Sequence, residues 1–172
     1  MKNLVKTIIR LFWTKVSIRK CKKVGRKVYI NKKSFFTNKT IIGSNVHING
    51  LHVYGNGEVT IGDNFHCGSG VKILTSNHNY NTDVCVPYDD KYVNKNVEIK
   101  DNVWIGINVI ILGGVSIGEG AIIQAGSVVS CNVDSLAIVG GNPACKFKER
   151  NVNLYEKAKK NMKEGISYKI IK

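Results

Sequence analysis

A chain of 172 residues, 43% of them hydrophobic, has room for one domain with short extensions. Its five cysteines (Cys21, Cys67, Cys85, Cys131, Cys145) are scattered and contain no CxxC pair, which excludes a disulfide frame or zinc site and suits free thiols in a reducing cytoplasm. The formal net charge of +14 sits on the two ends: residues 1–40 hold 13 Lys/Arg and no acid, residues 146–172 hold 9 basic and 3 acidic side chains, and the centre holds 4 basic against 9 acidic.

Residues 2–20 (KNLVKTIIRLFWTKVSIRK) read as a helix with Val5, Ile8, Ile9, Phe12 and Val16 on one face and Lys2, Lys6 and Arg10 on another. Such a helix can dock on the end of the folded body, which is the expected arrangement, or lie on an anionic membrane surface. Arg10 breaks its apolar run and no small-residue cleavage site follows, so no secretory signal is expected; nor is any stretch long enough to span a bilayer. The basic run continues through Lys22, Lys23, Arg26, Lys27, Lys32 and Lys33. Without a recognisable motif or base-stacking aromatics, nucleic acid is not the expected partner.

From Ile30 a six-residue phase begins: Ile30, Phe36, Ile42, Ile48. It slips by one residue near Gly55-Asn56-Gly57 and resumes at Ile61, Cys67 and Ile73. The following stretch, SNHNYNTDVCVPYDDKYVNKN, lacks the pattern and reads as a loop leaving the body over residues 77–97, where function tends to reside. The phase is then strict, with Ile99, Ile105, Ile111, Ile117, Ile123 and Val129 opening successive blocks and Val103, Val109, Val115, Ala121 and Ser127 in the fifth places. This spacing matches neither the helix period nor one alternating strand. Three blocks instead close a triangular coil, so that Ile99 stacks on Ile117 and Ile105 on Ile123 in a parallel β solenoid. Gly, Asn and Asp supply the corners. The GGNPA segment ends the repeat, and a short helix is expected from Leu154 to about Glu164, followed by a tail. The expected organisation is a basic N-terminal extension over 1–29, a solenoid over 30–145 and a basic, mostly helical segment over 146–172.

These blocks resemble the hexapeptide repeat of the left-handed β-helix acyltransferases. The resemblance implies an all-β, left-handed parallel β-helix; the handedness comes from the resemblance alone, because parallel crossovers are otherwise right-handed. The order TSNHNY, loop, VNKNVEIKDNVWIG, repeats, GGNPA, over roughly residues 42–148, is similar to the maltose and galactoside acetyltransferase branch. That similarity implies an acetyl-CoA-dependent O-acetyltransferase acting on a sugar hydroxyl, with no metal required. His78 is a natural general base near neutral pH and matches the family's catalytic histidine. Trp104 matches the tryptophan bordering the reactive end of the cofactor, and the backbone of Gly106 and Ile107 falls where the family contacts the thioester and could stabilise the oxyanion.

Ala125, Gly126 and Ser130 match the wall along the pantetheine arm. Lys146 and Lys148 are the candidates for the nucleotide phosphates, although Cys145 stands where the family often has a basic residue. On the acceptor side, Asn49 lies within a residue of a sugar-binding asparagine, and Tyr80 and Asp83 are loop candidates. The resemblance further implies a homotrimer with active sites between subunits. The basic ends suit a cytoplasmic, peripheral enzyme working on lipid-linked saccharides in surface polysaccharide synthesis; free small sugars, or another small hydroxyl or amino acceptor, are the alternative. Other readings are a non-catalytic scaffold and a metal enzyme like the γ-class carbonic anhydrases. His47 and His52 have the five-residue spacing of that class and His66 is near in repeat phase, but no further histidine lies upstream.

Overall fold

The computed structural model describes residues 2–163. Helix α1 (Lys2–Ile18) precedes a first coil containing β1 (Lys23–Val24) and β2 (Val28–Ile30). The second coil holds β3 (Thr40–Ile42), β4 (Val46–Ile48) and β5 (Leu51–Tyr54); the third holds β6 (Val59–Ile61), β7 (His66–Cys67) and β8 (Val71–Leu74). A hairpin of β9 (Ser76–His78) and β10 (Tyr92–Asn94) interrupts the winding. It resumes with β11 (Val97–Ile99), β12 (Trp104–Ile105) and β13 (Ile110–Leu112), then β14 (Ser116–Ile117), β15 (Ile122–Ile123) and β16 (Val128–Val129). A last coil carries β17 (Ala137–Gly140), after which come β18 (Cys145–Glu149) and helix α2 (Val152–Lys163).

The strands stack into three faces of a parallel β-helix of about six turns. The first face runs β1-β3-β6-β11-β14, the second β2-β4-β7-β12-β15-β17 with β18 antiparallel at its edge, and the third β5-β8-β13-β16. The expected pairings are present: Ile99 opposes Ile117 and Ile105 opposes Ile123. The first-place residues from Ile99 to Val129 are all buried, and so are the fifth-place Val103, Val109, Val115, Ala121 and Ser127. Two inward positions per block suffice because each side of the triangle is only two to four paired residues long. The solenoid opens earlier than the phase suggests, since β1 already pairs with β3 in register.

The phase slip has two parts. Cys67 follows Ile48 by 19 residues in the second-face register, so the coil gains one residue. Yet Val53, paired with Ile73, comes only five residues after Ile48, and Ile61 follows eight later. A one-residue deletion before Val53 is thus overcompensated at Gly55–Gly57. The much larger insertion between β8 and β11 leaves the stack intact: Ile61 still opposes Ile99, closed at its base by Lys95 N–H donating to the Thr75 carbonyl at 2.8 Å.

Helix α1 docks on the first coil, but through the face opposite to the one the apolar pattern indicates. Trp13 and Ile18 pack against the core, Thr14 Oγ1 accepts from Ile30 N–H at 2.9 Å, and the Arg10 guanidinium lies 5.0 Å from the Tyr29 ring centroid. Val5, Ile8, Ile9, Phe12 and Val16 point outward, joined by Leu4 and Leu11. The end of a three-sided coil is too small to take a whole apolar face. One Trp plugs it, and Thr14 and Ser17 let the helix approach closely. No described helix is long and apolar enough to cross a membrane.

At the other end, β18 folds back on β17, an antiparallel strand that the sequence did not announce. Helix α2 is clasped by Glu119, whose carboxylate accepts from Tyr155 Oη at 3.0 Å and pairs with Lys159 Nζ at 2.5 Å. The Lys159 ammonium holds Glu119 below the ordinary carboxylate range; burial opposes this, and the Tyr155 hydrogen bond adds to it. Along the corner between the first and second faces, left-handed asparagines form an amide ladder. Asn45 Nδ2 donates to Asn64 Oδ1 at 2.8 Å, and Asn64 Nδ2 to Asn102 Oδ1 at 2.9 Å. Asparagine suits these corners because it tolerates positive φ and carries both a donor and an acceptor. The expected tail beyond Lys163 lies outside the described residues.

Candidate active site

His78 is the last residue of β9, opposite Tyr92 of β10. The insertion is therefore an antiparallel hairpin at its base and not wholly a loop. Its ring is held between two tyrosines: Tyr88 stacks at 3.8 Å between centroids and 13° between planes, and Tyr92 lies at 4.6 Å and 38°. Nδ1 is buried with no described hydrogen-bond partner, which leaves Nε2 as the nitrogen open to a reactant. The loop bearing Tyr88 is stapled by Asp89. Its carboxylate accepts from Asn79 Nδ2 at 2.7 Å and from Lys91 N–H at 2.9 Å, and Asp89 N–H donates to the Asn79 carbonyl at 3.2 Å. Burial acts to raise the Asp89 pKa, but hydrogen bonds from Lys91, Asn79 and Thr82 outweigh it and the net shift is downward. Tyr88, Tyr92 and Asp89 are not evident in the sequence. The one available signal is the near-symmetric placing of S-N-H and Y-V-N about the insertion. Tyr80, 78% exposed, and Asp83, also exposed, point to solvent, and the ring contacts to His78 come from Tyr88 and Tyr92.

A second group of expected residues gathers at the corner between the second and third faces. Gly106 N–H donates to the Ile123 carbonyl and Gly126 N–H to the Ile107 carbonyl, each at 2.8 Å. The Ile107 N–H is given to no described acceptor, so the corner presents a donor not consumed by the solenoid. A Cβ on Gly106 would lie 2.5 Å from Ala125 N, which makes glycine the residue that lets the two corners stack. Gly126 has φ +73° and nothing within 4 Å of where a Cβ would stand, so the groove beside it has room for a chain to pass. Trp104, two positions before Gly106, is 52% exposed on the outer surface of β12 and is not a core residue.

The remaining candidates are more dispersed. Ser130 lies at the far end of the third face, beyond β16, apart from Ala125 and Gly126. Lys146 and Lys148 sit on β18 at the top of the second face; Lys146 pairs with Glu149 at 3.0 Å, while Lys148 is exposed. Asn49 is part of an inter-coil ladder, accepting from Asn31 Nδ2 at 2.9 Å and donating to the Cys67 carbonyl at 2.9 Å. That leaves it one N–H and one lone pair for a ligand.

Trp104 also borders a cavity of 550 Å³ lined by His47, His66, Asn102, Arg150 and Tyr155. His47 stacks between Tyr29, at 4.9 Å, and His66, at 5.9 Å. Burial, then the charges of His66 and Arg10, keep the His47 pKa below its ordinary value, and burial does the same for His66, so both rings are neutral near pH 7. His52 is on the third face, where its ring nitrogens meet Tyr54 Oη and the Lys33 carbonyl. The three histidines weighed for a metal site therefore do not converge. His78 and Trp104 lie on different sides of the solenoid, one on a hairpin leaving the corner between the third and first faces, the other on the second face.

Residues 96–131 match the family described as "Bacterial transferase hexapeptide (six repeats)". A galactoside O-acetyltransferase of Lactococcus lactis is 32% identical over 129 residues, 69% of this chain and 61% of its own length. Among solved structures, a hexapeptide-repeat acetyltransferase from Vibrio cholerae has a TM-score of 0.72 at 25% identity, covering 86% of this chain and 87% of that one. A galactoside acetyltransferase in complex with coenzyme A has a TM-score of 0.66 at 25% identity, covering 87% and 71%. The strict repeat is thus the bacterial transferase hexapeptide, and the fold is that of the hexapeptide-repeat acetyltransferases. The chain spans 52% and 61% of the first curated relatives it matches.

Proposed function

We propose that this protein is an acetyl-CoA-dependent O-acetyltransferase acting on a hydroxyl of a saccharide, with His78 as general base. The observation that carries the reading is the pairing of a clamped histidine on a hairpin with a glycine-rich corner that presents an unspent amide. Acetyl-CoA supplies the activated acetyl group. His78 Nε2 takes the proton from the acceptor hydroxyl as its oxygen bonds to the thioester carbonyl carbon. The Ile107 N–H donates to the carbonyl oxygen as negative charge develops there. As the C–S bond breaks, His78 returns the proton to the departing thiolate, and Trp104 shields the reacting end from water.

His78 and Trp104 occupy different sides of one protomer, which supports a homotrimer in which neighbouring subunits complete each site. The similarity to galactoside O-acetyltransferases supports a sugar acceptor. The outward apolar face of α1, flanked by Lys15, Arg19 and Lys20, supports work at the inner membrane surface on lipid-linked saccharides of surface polysaccharide synthesis.

Thioester consumption with acetyl-CoA against a panel of saccharides tests the reaction. His78→Ala is expected to lower kcat by about 10²–10⁴-fold with the fold retained. A fully active His78→Ala sinks the general-base reading. Co-refolding His78→Ala with Trp104→Ala subunits restores activity if the site is shared, and restores none if it is not. Co-sedimentation with anionic vesicles, lost on Leu11→Ser/Phe12→Ser, tests the membrane contact; free small sugars are the acceptors if no vesicle is bound.

A further inference from the structure

Between β9 and β10 the hairpin carries Val84, Cys85, Val86 and Pro87, four consecutive apolar residues that are all exposed, Val84 to 71% and Val86 to 93%. A run of this kind on a surface loop favours aggregation unless something covers it. The loop is held in shape before anything does. Asp89 fastens its base to Asn79, Val84 N–H donates to Thr82 Oγ1 at 3.2 Å, and Cys85 Sγ turns back to the Tyr88 carbonyl at 3.2 Å. The side chains this knob offers are therefore Val84 and Val86.

A concave counterpart lies on the second face. The 550 Å³ cavity there has His66 and Trp104 on the solenoid side and Tyr155, Ala158 and Met162 on the side of α2. Two cations line it as well. Lys159 is spent on Glu119, whereas Arg150 uses Nε alone, on the Gly120 carbonyl at 2.6 Å. The hairpin supplies the opposite sign: residues 77–94 hold Asp83, Asp89 and Asp90 against Lys91. Among the described residues, no ion pair engages Arg150, Asp83 or Asp90. An exposed apolar knob with free carboxylates and a mostly apolar socket with a free guanidinium are complementary surfaces.

We propose that Val84 and Val86 of one protomer seat in this cavity of a second copy, with the hairpin carboxylates facing Arg150. The inference rests on the shared site proposed above and says what holds it together. A neighbour's His78 working beside Trp104 and Ile107 brings its own hairpin onto the second face. Trp104 borders the cavity, and the cavity's Asn102 is only two residues further, about 7 Å of extended chain. The six residues from His78 to Val84 span up to about 20 Å, so knob and socket are within reach. The contact is head-to-tail and closes into a ring when repeated about a threefold axis. Helix α2 then becomes the anchor of the partner's catalytic hairpin.

Cross-linking the full-length protein with a bis-maleimide, quenched before denaturing electrophoresis, reads the contact without any need for turnover. In a Cys85→Ser/Cys131→Ser/Cys145→Ser background, Val86→Cys with Ala158→Cys is expected to give covalent dimers and trimers. Val86→Cys with Glu98→Cys, on the first face, is expected to give monomer alone. Val84→Asp/Val86→Asp is expected to raise the subunit dissociation constant in sedimentation by about tenfold or more, the scale of two valines denied apolar cover. Val84→Leu/Val86→Leu, which keeps the knob apolar, retains assembly. Both side chains are exposed in the protomer, so circular dichroism of the variants is expected to match wild type. No inter-subunit product, equal product from the first-face pair, or unchanged assembly of the Asp variant would each overturn the proposal and leave the cavity to a small ligand. Cross-linking without acetylation of any saccharide would refute the transfer reading and leave the seat standing. Activity restored by mixing His78→Ala with Trp104→Ala subunits, without cross-linking, would do the reverse.

Discussion

Gly106→Ala and Gly126→Ala separate the frame of the groove from its contents. At Gly106 the backbone is not left-handed, so the new methyl acts by sterics alone. It would meet Ala125 N at 2.5 Å, Ala125 Cα at 2.7 Å and the Gln124 carbonyl carbon at 3.0 Å, whereas ordinary contact begins at 3.4 Å. All three are backbone atoms, and the two corners are tied together by the 2.8 Å bonds from Gly106 to Ile123 and from Gly126 to Ile107. Relief requires the fourth and fifth coils to part. Overpacking of about 1–3 kcal/mol, plus about 1 kcal/mol for a weakened corner hydrogen bond, gives about 2–4 kcal/mol. For a chain of this size that lowers Tm by roughly 5–15 °C. Gly126→Ala meets no neighbour and bears only its positive φ, about 1–2 kcal/mol, but its methyl protrudes into the groove. Thermal unfolding by circular dichroism should place Gly106→Ala lowest, with Gly126→Ala between it and wild type and an increased KM for acetyl-CoA. A Gly106→Ala protein melting within about 2 °C of wild type, or above Gly126→Ala, would refute the close-stacking argument.

Three further outcomes follow from the geometry. Tyr88 and Tyr92 act as positioning residues for His78: Ala at either should lower kcat by about tenfold to a hundredfold while the KM for acetyl-CoA stays unchanged, and Phe, which keeps the ring, should restore the rate. A thiol reagent should label three cysteines of the native protein rapidly, the exposed Cys85, Cys131 and Cys145. Burial pushes Cys21 up to about 11 and Cys67 up to about 12, so all five label quickly only in denaturant. The α2 clasp should loosen in acid. Because Glu119 titrates below its ordinary value of 4.5, its contribution is full above that pH and is lost as pH falls through the lowered value. Hydrogen exchange in α2 should rise there, and Glu119→Gln should abolish the change.

The strict part of the repeat was the most legible part of the molecule, because inward Ile at a spacing of six leaves little choice of architecture. Handedness was not legible from spacing and rested on resemblance. The hairpin was hidden because S-N-H and Y-V-N carry no apolar alternation to reveal them; beside the backbone ladder they meet through Ser76 Oγ donating to Asn94 Oδ1 and through the His78 and Tyr92 rings. Helix α1 was found but its docked face was reversed: its apolar pattern describes the surface left over after Trp13 and Ile18 close the end of the coil. Trp104, Gly106, Ile107, Ala125 and Gly126 could be located because the repeat fixes which coil and corner each occupies. The clamp around His78 could not, since stacking of Tyr88 depends on an Asp89 turn whose residues follow no period.

The hairpin leaves and re-enters the solenoid through neighbouring backbone groups, Thr75 and Lys95, so the coils above and below register each other as though it were absent. Closure entropy changes slowly with the length of such an excursion. The part of the chain that carries His78 is therefore free to vary in length and composition without renegotiating the core. The solenoid behaves as a chassis, and a change of acceptor would be a change of fitting.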